Sequence, residues 1–303
     1  MQKRCYPKRA VLCLSLCFLL CLSLGTWLCA CSSAGQKTVA SCNGDPILQE
    51  EYDYLYESLR TQADTEETLR QKIERAMIED RAVLAAGRAL LNGLTAEDAA
   101  VQDAVDAGVK QVIESYGGKS EYKAALKALG LTEHHFRRML AISEIQRLVQ
   151  EAIFAGTAME SENSFSAWLK DSAHYARAEQ FVFSSAAAAE QFRQAVTGGA
   201  NAESACTQAG GTIRRASYFF LGLGGDAVDT AIFSLPTDGA TLSPAVEQDG
   251  AFTVYRRLAV SETEREDMAA LQGLAVRDRL RELHWTEVLE GYAKDLSVEW
   301  NAG

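Results

Sequence analysis

Nucleophilic or metal-binding chemistry in this chain would have to come from its eight cysteines and four histidines. Five of the cysteines, at positions 5, 13, 17, 21 and 29, fall within the first thirty residues, and Cys31 follows directly. Cys42 and Cys206 remain for the body of the chain. An activated thiol needs a neighbouring base. No His or Asp partner is evident beside Cys206, so it reads as a small apolar core residue. Two cysteines without framework spacing define no disulfide, and the sequence leaves their pairing open. His134 and His135 are adjacent on a helical stretch and face different ways, which argues against a shared metal. His174 and His284 are isolated. The residue types therefore point to no reaction centre, no metal and no cofactor.

The one cysteine with a chemical context is Cys31. Lys3, Arg4, Lys8 and Arg9 precede an uncharged run from Ala10 to Leu28, and the run closes on Leu28-Cys29-Ala30-Cys31 before Ser32 and Ser33. A basic start, an apolar core and small residues at a cut point make an export signal. The Leu-x-Ala-Cys ending resembles a bacterial lipobox, which implies cleavage before Cys31 and acylation of that residue. Residues 1–30 are then the signal and 31–37 a tether. The apolar run approaches bilayer-spanning length, so an uncut anchor is the alternative; both readings put the body outside the cytoplasm. No acidic residue lies in positions 1–30, which hold four of the 30 Lys and Arg. The remainder carries 26 basic and 41 acidic residues, a net of −15. That balance argues against nucleic acid or anionic lipid headgroups as partners.

The elements that must position any function alternate in type along the chain. Residues 38–42 read as a strand ending at Asn43-Gly44-Asp45-Pro46, a turn signal. Ile47 to Arg60 reads as a helix with Tyr52, Leu55, Tyr56 and Leu59 on one stripe. Asp64 or Thr65 caps a long helix that stops at Asn92-Gly93. Thr95 to Asp98 is a capping box for a third helix, and further helices run from Ser120 and from Thr132, leaving 46–168 almost wholly helical. From 171 the character changes. Residues 176–183 and 251–258 read as strands, with helices at 186–196 and 202–209 between them. Thr230 to Leu235 is a half-buried segment, and 241–243 a short strand. Residues 262–294 return to helix, and 296–300 form a last strand.

This order resembles the SurA/PrsA group of extracytoplasmic folding factors. Val39-Ala40-Ser41-Cys42-Asn43-Gly44-Asp45-Pro46-Ile47 looks like the opening of that group's N-terminal domain. Tyr122, Ala125, Leu126, Leu129-Gly130-Leu131-Thr132-Glu133 and Phe136-Arg137 look like its later part. Residues 176–258, with Gly210-Gly211, Ala231 to Leu235, Ser243 to Val246 and Gly250, resemble a parvulin domain. The expected class is α+β: a helical domain at 38–170, an inserted small antiparallel-sheet domain at 171–260, and a segment 261–303 that folds back so that 296–300 pairs near 38–42.

Rotating a peptide bond meets a barrier of about 18–20 kcal/mol, while the two X-Pro isomers differ by only about 0.5–1 kcal/mol. An isomerase must hold the proline ring and favour the twisted amide by placed hydrogen bonds. The parvulin resemblance implies two facing histidines, a nearby Cys or Asp and apolar residues around the ring. The first histidine position falls at Gln180 and the second at Phe252, so both imidazoles are missing. The Cys position matches Cys206, one apolar position matches Ile213, and the ring-holding positions fall near Gly224 and at Val228. The stretch Arg214–Gly225 does not align cleanly, and Tyr218, Phe219 and Phe220 stand as substitutes. The expected function is a membrane-anchored chaperone binding unfolded or newly secreted polypeptides through Tyr52, Tyr54, Tyr56, Tyr218, Phe219 and Phe220, with a degenerate parvulin-like domain and no small-molecule substrate. The alternative is an active prolyl isomerase with an altered site. Nutrient capture would need two α/β lobes, and only one short β-rich block is present.

Overall fold

The computed structural model describes residues 37–301. The expected export signal, Cys31 and the start of the expected tether lie outside them. Strand β1 (Thr38–Cys42) turns through Asn43 and Gly44, at φ of +49° and +86°, into β2 (Asp45–Leu48). Two successive residues at positive φ make the tight turn that matches strand twist. Residues 45–48 therefore extend β1 as a hairpin, where the sequence suggested a turn and a helix start. Helix α1 (Gln49–Leu59) follows, then α2 (Glu66–Leu90). Thr65, rather than Asp64, caps α2: its hydroxyl accepts from Thr68 N, and the Thr68 side chain reaches back to the Thr65 amide. Asp64 instead closes the preceding turn on Thr61.

Helices α3 (Ala99–Ser115), α4 (Lys119–Ala128) and α5 (Glu133–Phe154) complete the N-terminal lobe around Val101, Val105, Phe136 and Ile145. Gly87 of α2 lets α5 approach closely, since a Cβ there would lie 2.5 Å from Ile145 Cγ2. Helix α6 (Glu162–Leu169) leads into a second unit. It comprises β3 (Tyr175–Phe183), α7 (Ala186–Thr197), α8 (Ala202–Gln208), β4 (Thr212–Phe220), α9 (Asp226–Phe233), β5 (Val246–Gln248) and β6 (Ala251–Leu258). The strands form an antiparallel sheet in the order β4-β3-β6-β5. Helix α9 covers one face, and α7 with α8 covers the other.

Three segments differ from the sequence expectation. Residues 212–220 are a full strand, where most of Arg214–Gly225 was expected as a loop. Thr230 to Leu235 is mostly the end of α9. Residues 241–243 give only one bridge, Leu242 to Arg256, and β5 is the fourth strand instead.

Helix α10 (Glu262–Ala293) then runs back along α2 and α6, burying Met268, Gly273, Val276 and Trp285. At 32 residues it is about 48 Å long. It delivers β7 (Val298–Trp300) to β1, with Ala40 opposite Trp300 and Cys42 opposite Val298. The expected pairing of 296–300 with 38–42 is thus present, and the first sheet reads β2-β1-β7. The two units meet at an apolar joint of Phe165, Leu169, Tyr175, Phe220, Met268 and Val276.

Trp300 pins this closure. Its ring meets Tyr52 edge-on at 5.6 Å, Arg70 lies over it at 5.0 Å, and its Nε1 donates to Glu74 at 2.6 Å. Trp300→Ala removes all three contacts and is expected to cost about 2 kcal/mol. Thermal unfolding reads this as a clearly lowered Tm; an unchanged midpoint would show that β7 is not what holds the lobe shut.

Candidate functional site

Strand parity decides which side chains of the sheet can meet. Residues directly opposite each other share a face, and successive residues alternate. On β3, Ala176, Ala178 and Gln180 look toward α9, while Phe181 and Phe183 look toward α7 and α8. Strand β6 places Tyr255 opposite Gln180 and Phe252 opposite Phe183. Strands 176–183 and 251–258 therefore lie side by side as expected, but Gln180 and Phe252 occupy opposite faces. The β6 residues that share the Gln180 face are Thr253 and Tyr255.

That face is a mixed apolar and polar surface. Gln180 Nε2 donates to Ser217 Oγ at 3.4 Å. Tyr255 is buried, its ring is edge-on to Phe219 at 5.7 Å, and its hydroxyl donates to Gln248 Oε1 at 3.4 Å. Burial pushes the Tyr255 phenol above its ordinary range, so it stays a neutral hydrogen-bonding group. Ser243, fully buried, accepts from Tyr255 N and donates to Pro244 O. Val228 comes in from α9 and fills the same cluster.

Cys206 lies on the other face with Phe252, Phe183 and Phe192. Burial raises its thiol pKa, and it has no accessible surface. An inert buried thiol is the outcome. Gly211 is required beside it, because a Cβ there would sit 2.3 Å from Phe183 Cε1 and 2.8 Å from Cys206 Sγ. Cys42 belongs to the distant β1–α2 core, and both cysteines are free. Ile213 is 39% exposed on the sheet's edge strand. Gln180, Cys206 and Phe252 thus do not converge on one pocket. His174 precedes β3, its ring stacked on Trp168 at 4.1 Å, so no histidine lies on the four-stranded sheet.

The aromatic candidates for gripping a polypeptide are largely committed to packing. Tyr52 and Tyr56 belong to the β1–α1–α2 core, their rings 6.0 Å apart. Tyr54 lies against His135 at 5.3 Å. Tyr218 and Phe220 fill the joint between the units, and Phe219 packs on Tyr255. The two most exposed of the large apolar side chains lie elsewhere, on α10. Leu271 is 83% exposed and Leu274 54%, beside a groove of about 270 Å³ between α6 and α10 floored by Phe165, Ala269 and Gly273. The sequence signal for this surface was present: Leu271 and Leu274 lie off the stripe of Met268, Gly273 and Val276 that faces the protein.

The helical lobe also encloses charge. Glu51 and Arg81 are 2% and 1% exposed and form a two-pronged ion pair, with Arg81 Nη2 also donating to Pro46 O at 3.0 Å. Glu50 accepts from Thr132 Oγ1 at 2.5 Å and meets His134 Nδ1 at 2.5 Å. His134 and His135 therefore turn to different partners. Among the described residues no group of three His, Cys, Asp or Glu side chains is placed to hold a metal ion, and no helix is long and apolar enough to cross a membrane.

Residues 5–150 match the family described as the SurA-like N-terminal domain. No curated protein matches the chain. Among solved structures, it is similar to the peptidylprolyl isomerase PrsA of Bacillus anthracis, with 15% identity over 72% of this chain and 94% of that one, at a TM-score of 0.38. It is similar to PrsA of Bacillus cereus, with 11% identity, 86% and 92% coverage and a TM-score of 0.40. It is also similar to a SurA-like chaperone of Campylobacter jejuni, with 14% identity, 88% and 100% coverage and a TM-score of 0.31.

The buried charges make stability depend on pH. Burial, and then the Glu51 carboxylate, push Asp80 up to about 6. The folded state thus holds the Asp80 proton after the unfolded chain has lost it, and stability falls as pH rises from about 4 to about 6, by on the order of 2–3 kcal/mol. Burial holds the His135 imidazole below its ordinary range, which acts in the opposite sense, so the difference between variants is the useful reading. Asp80→Asn is expected to be more stable than the parent at pH 7 and to lose that advantage at pH 4. Denaturant midpoints at the two pH values measure it, and equal gains at both would contradict the assignment.

Proposed function

We propose that this chain, a SurA/PrsA-type protein by its N-terminal domain, is a chaperone on the outer face of a bacterial membrane, held there by acylation of Cys31, that binds unfolded or newly exported polypeptides. The observation that carries the binding role is the exposed pair Leu271 and Leu274 on α10 beside the α6 groove. Extended polypeptide needs adaptable apolar area and no reaction centre. We read the four-stranded unit as parvulin-like and without isomerase chemistry. The two positions where imidazoles would be expected hold Gln180 and Phe252 on opposite faces of the sheet, the Gln180 face carries Ser217 and Tyr255, and Cys206 is shut away behind the sheet.

The fragment from residue 32 onward is expected to suppress aggregation of a reduced secreted protein at a few-fold excess. The double variant Leu271→Ser, Leu274→Ser should protect several-fold less well at unchanged Tm. Absence of protection by the parent would end the chaperone reading, and full protection by the double variant would move the grip away from α10. In a protease-coupled assay on an Ala-Pro peptide the same fragment should not accelerate isomerisation. Acceleration that Tyr255→Phe abolishes would establish the altered-site isomerase instead.

The anchor has its own test. Cys31→Ser expressed in a bacterial host should leave the detergent phase of a Triton X-114 partition and enter the aqueous phase. Retention of the variant in the detergent phase would favour the uncut anchor.

A further inference from the structure

A second concavity lies in the helical lobe and shares no lining residue with the α6–α10 groove. It holds about 410 Å³ between the loop that opens α3 and the first half of α5, within the range of pockets that bind small ligands. Its polar lining carries Arg88, Arg137, Arg138 and His134 together with the carboxylates Asp45 and Glu97, and its apolar lining carries Leu84, Ala141 and Ile142. In a chain of net charge −11, this cavity sets three guanidiniums against two carboxylates.

Two of the three meet carboxylates of the chain itself. Arg88 lies 3.6 Å from Asp45, beyond a good hydrogen bond, and both side chains are about half exposed. Arg137 engages Asp106 on the outer surface. Arg138 is different. Its nearest carboxylate oxygen is Glu51 Oε2 at 3.9 Å, and that carboxylate already takes both prongs of Arg81. The Nε of Arg138 is buried without a hydrogen-bond partner, while its side chain keeps 26% exposure. A guanidinium offers five donors in a planar fork that fits a carboxylate two-pronged. That Nε faces Glu51 and has no accessible surface, so an acceptor arriving in the cavity meets only the remaining, partly exposed part of the guanidinium.

We propose that this cavity is a carboxylate subsite for a polypeptide: Arg138 takes the carboxylate, Arg88 at the rim adds field, and Leu84, Ala141 and Ile142 receive the adjoining apolar side chain. The carboxylate comes from a chain terminus or from an Asp or Glu side chain. The proposal deepens the chaperone reading by naming a feature of the client, and rests on that reading for its biological setting.

Fluorescence anisotropy on the fragment from residue 32 tests it with three fluorescein-labelled forms of the pentapeptide Gly-Ser-Ala-Leu-Phe. One has a free C-terminus, one a C-terminal amide, and one is the amide with Ser replaced by Glu. The free acid is expected to bind at least tenfold more tightly than the amide, with a preference that shrinks in 0.5 M salt. Binding of the Glu amide like the free acid would assign the site to any carboxylate; binding like the plain amide would restrict it to chain ends. Arg138→Gln should abolish the preference. If that variant does not fold, Arg88→Gln, changed at a half-exposed position, should reduce the preference several-fold. Equal binding of acid and amide, no binding of either at 1 mM, or an undiminished preference in the folded variants would overturn the proposal. Loss of the preference alongside intact suppression of aggregation would leave the α10 grip standing.

Discussion

Strand β1 can be the centre of its sheet only if a strand from the far end of the chain reaches it. The local hairpin supplies β2 on one side. The other side is an open edge until β7 arrives from more than 250 residues away. Unpaired edges are hazards for association and leave backbone groups unsatisfied. A closing element must therefore span the whole intervening unit, and α10 does so as one unbroken helix. Ser261 starts it with a reciprocal cap on Glu264. Without that long return, Ala40, Cys42 and Ile47 would lose the cover provided by Leu296, Val298 and Trp300. The sheet unit between α6 and α10 is in this sense a passenger held by both ends, and its apolar joint through Tyr175, Phe220 and Met268 fixes where it sits.

The same closure explains why charge is tolerated inside the helical lobe. Glu51 begins α1, Arg81 sits mid-way along α2, and Thr132 and His134 open α5. Burying two charges is offset only when geometry is good and the remaining donors are filled. Arg81 meets that condition with two bonds to Glu51 and one to Pro46 O. Removing either partner would strand a buried ion at about 3–5 kcal/mol. The network thus ties the hairpin to two helices that the apolar core alone would let slide. It also engages both oxygens of Glu51, from which Arg138 stands off at 3.9 Å.

Much of this architecture was readable from local chemistry. Asn43-Gly44, the Thr65 and Thr132 caps and Asn92-Gly93 all act within a few residues of themselves, and each appears where its side chain demands. The pairing of 296–300 with 38–42 is long-range; family order, not pattern, made it visible. Strand β4 was missed because Arg214 and Arg215 interrupt the alternation of Thr212–Phe220 at an exposed edge, where a half-buried strand should alternate cleanly. The faces of Gln180 and Phe252 were illegible for a different reason. Side-chain direction has period two, so a shift of one residue in reading β6 exchanges its faces. Thr253 and Tyr255 then replace Phe252 as the neighbours that matter. Leu271 and Leu274 were legible only as residues off the buried stripe of α10, a weak signal in a helix whose apolar residues spread around more than one side.

A sheet face can hold a proline ring without turning it. Rotation is accelerated only by contacts that improve as the amide twists, and a barrier of about 18–20 kcal/mol leaves room for that effect to be large or absent. On the Gln180 face the donors are already engaged: the Gln180 amide with Ser217, and the Tyr255 hydroxyl with Gln248. Committing either to a substrate would first break a bond within the sheet. The apolar residues there, Val228 and Phe219, pack into the cluster under α9. By contrast, Leu271 and Leu274 have nothing to give up when a client arrives, since their surface is already exposed to water. Burying it gains about 25 cal/mol for each Å² of apolar area covered, at no internal cost. Under the proposed chaperone reading, this difference in prior commitment is what would place the grip on α10 rather than on the sheet.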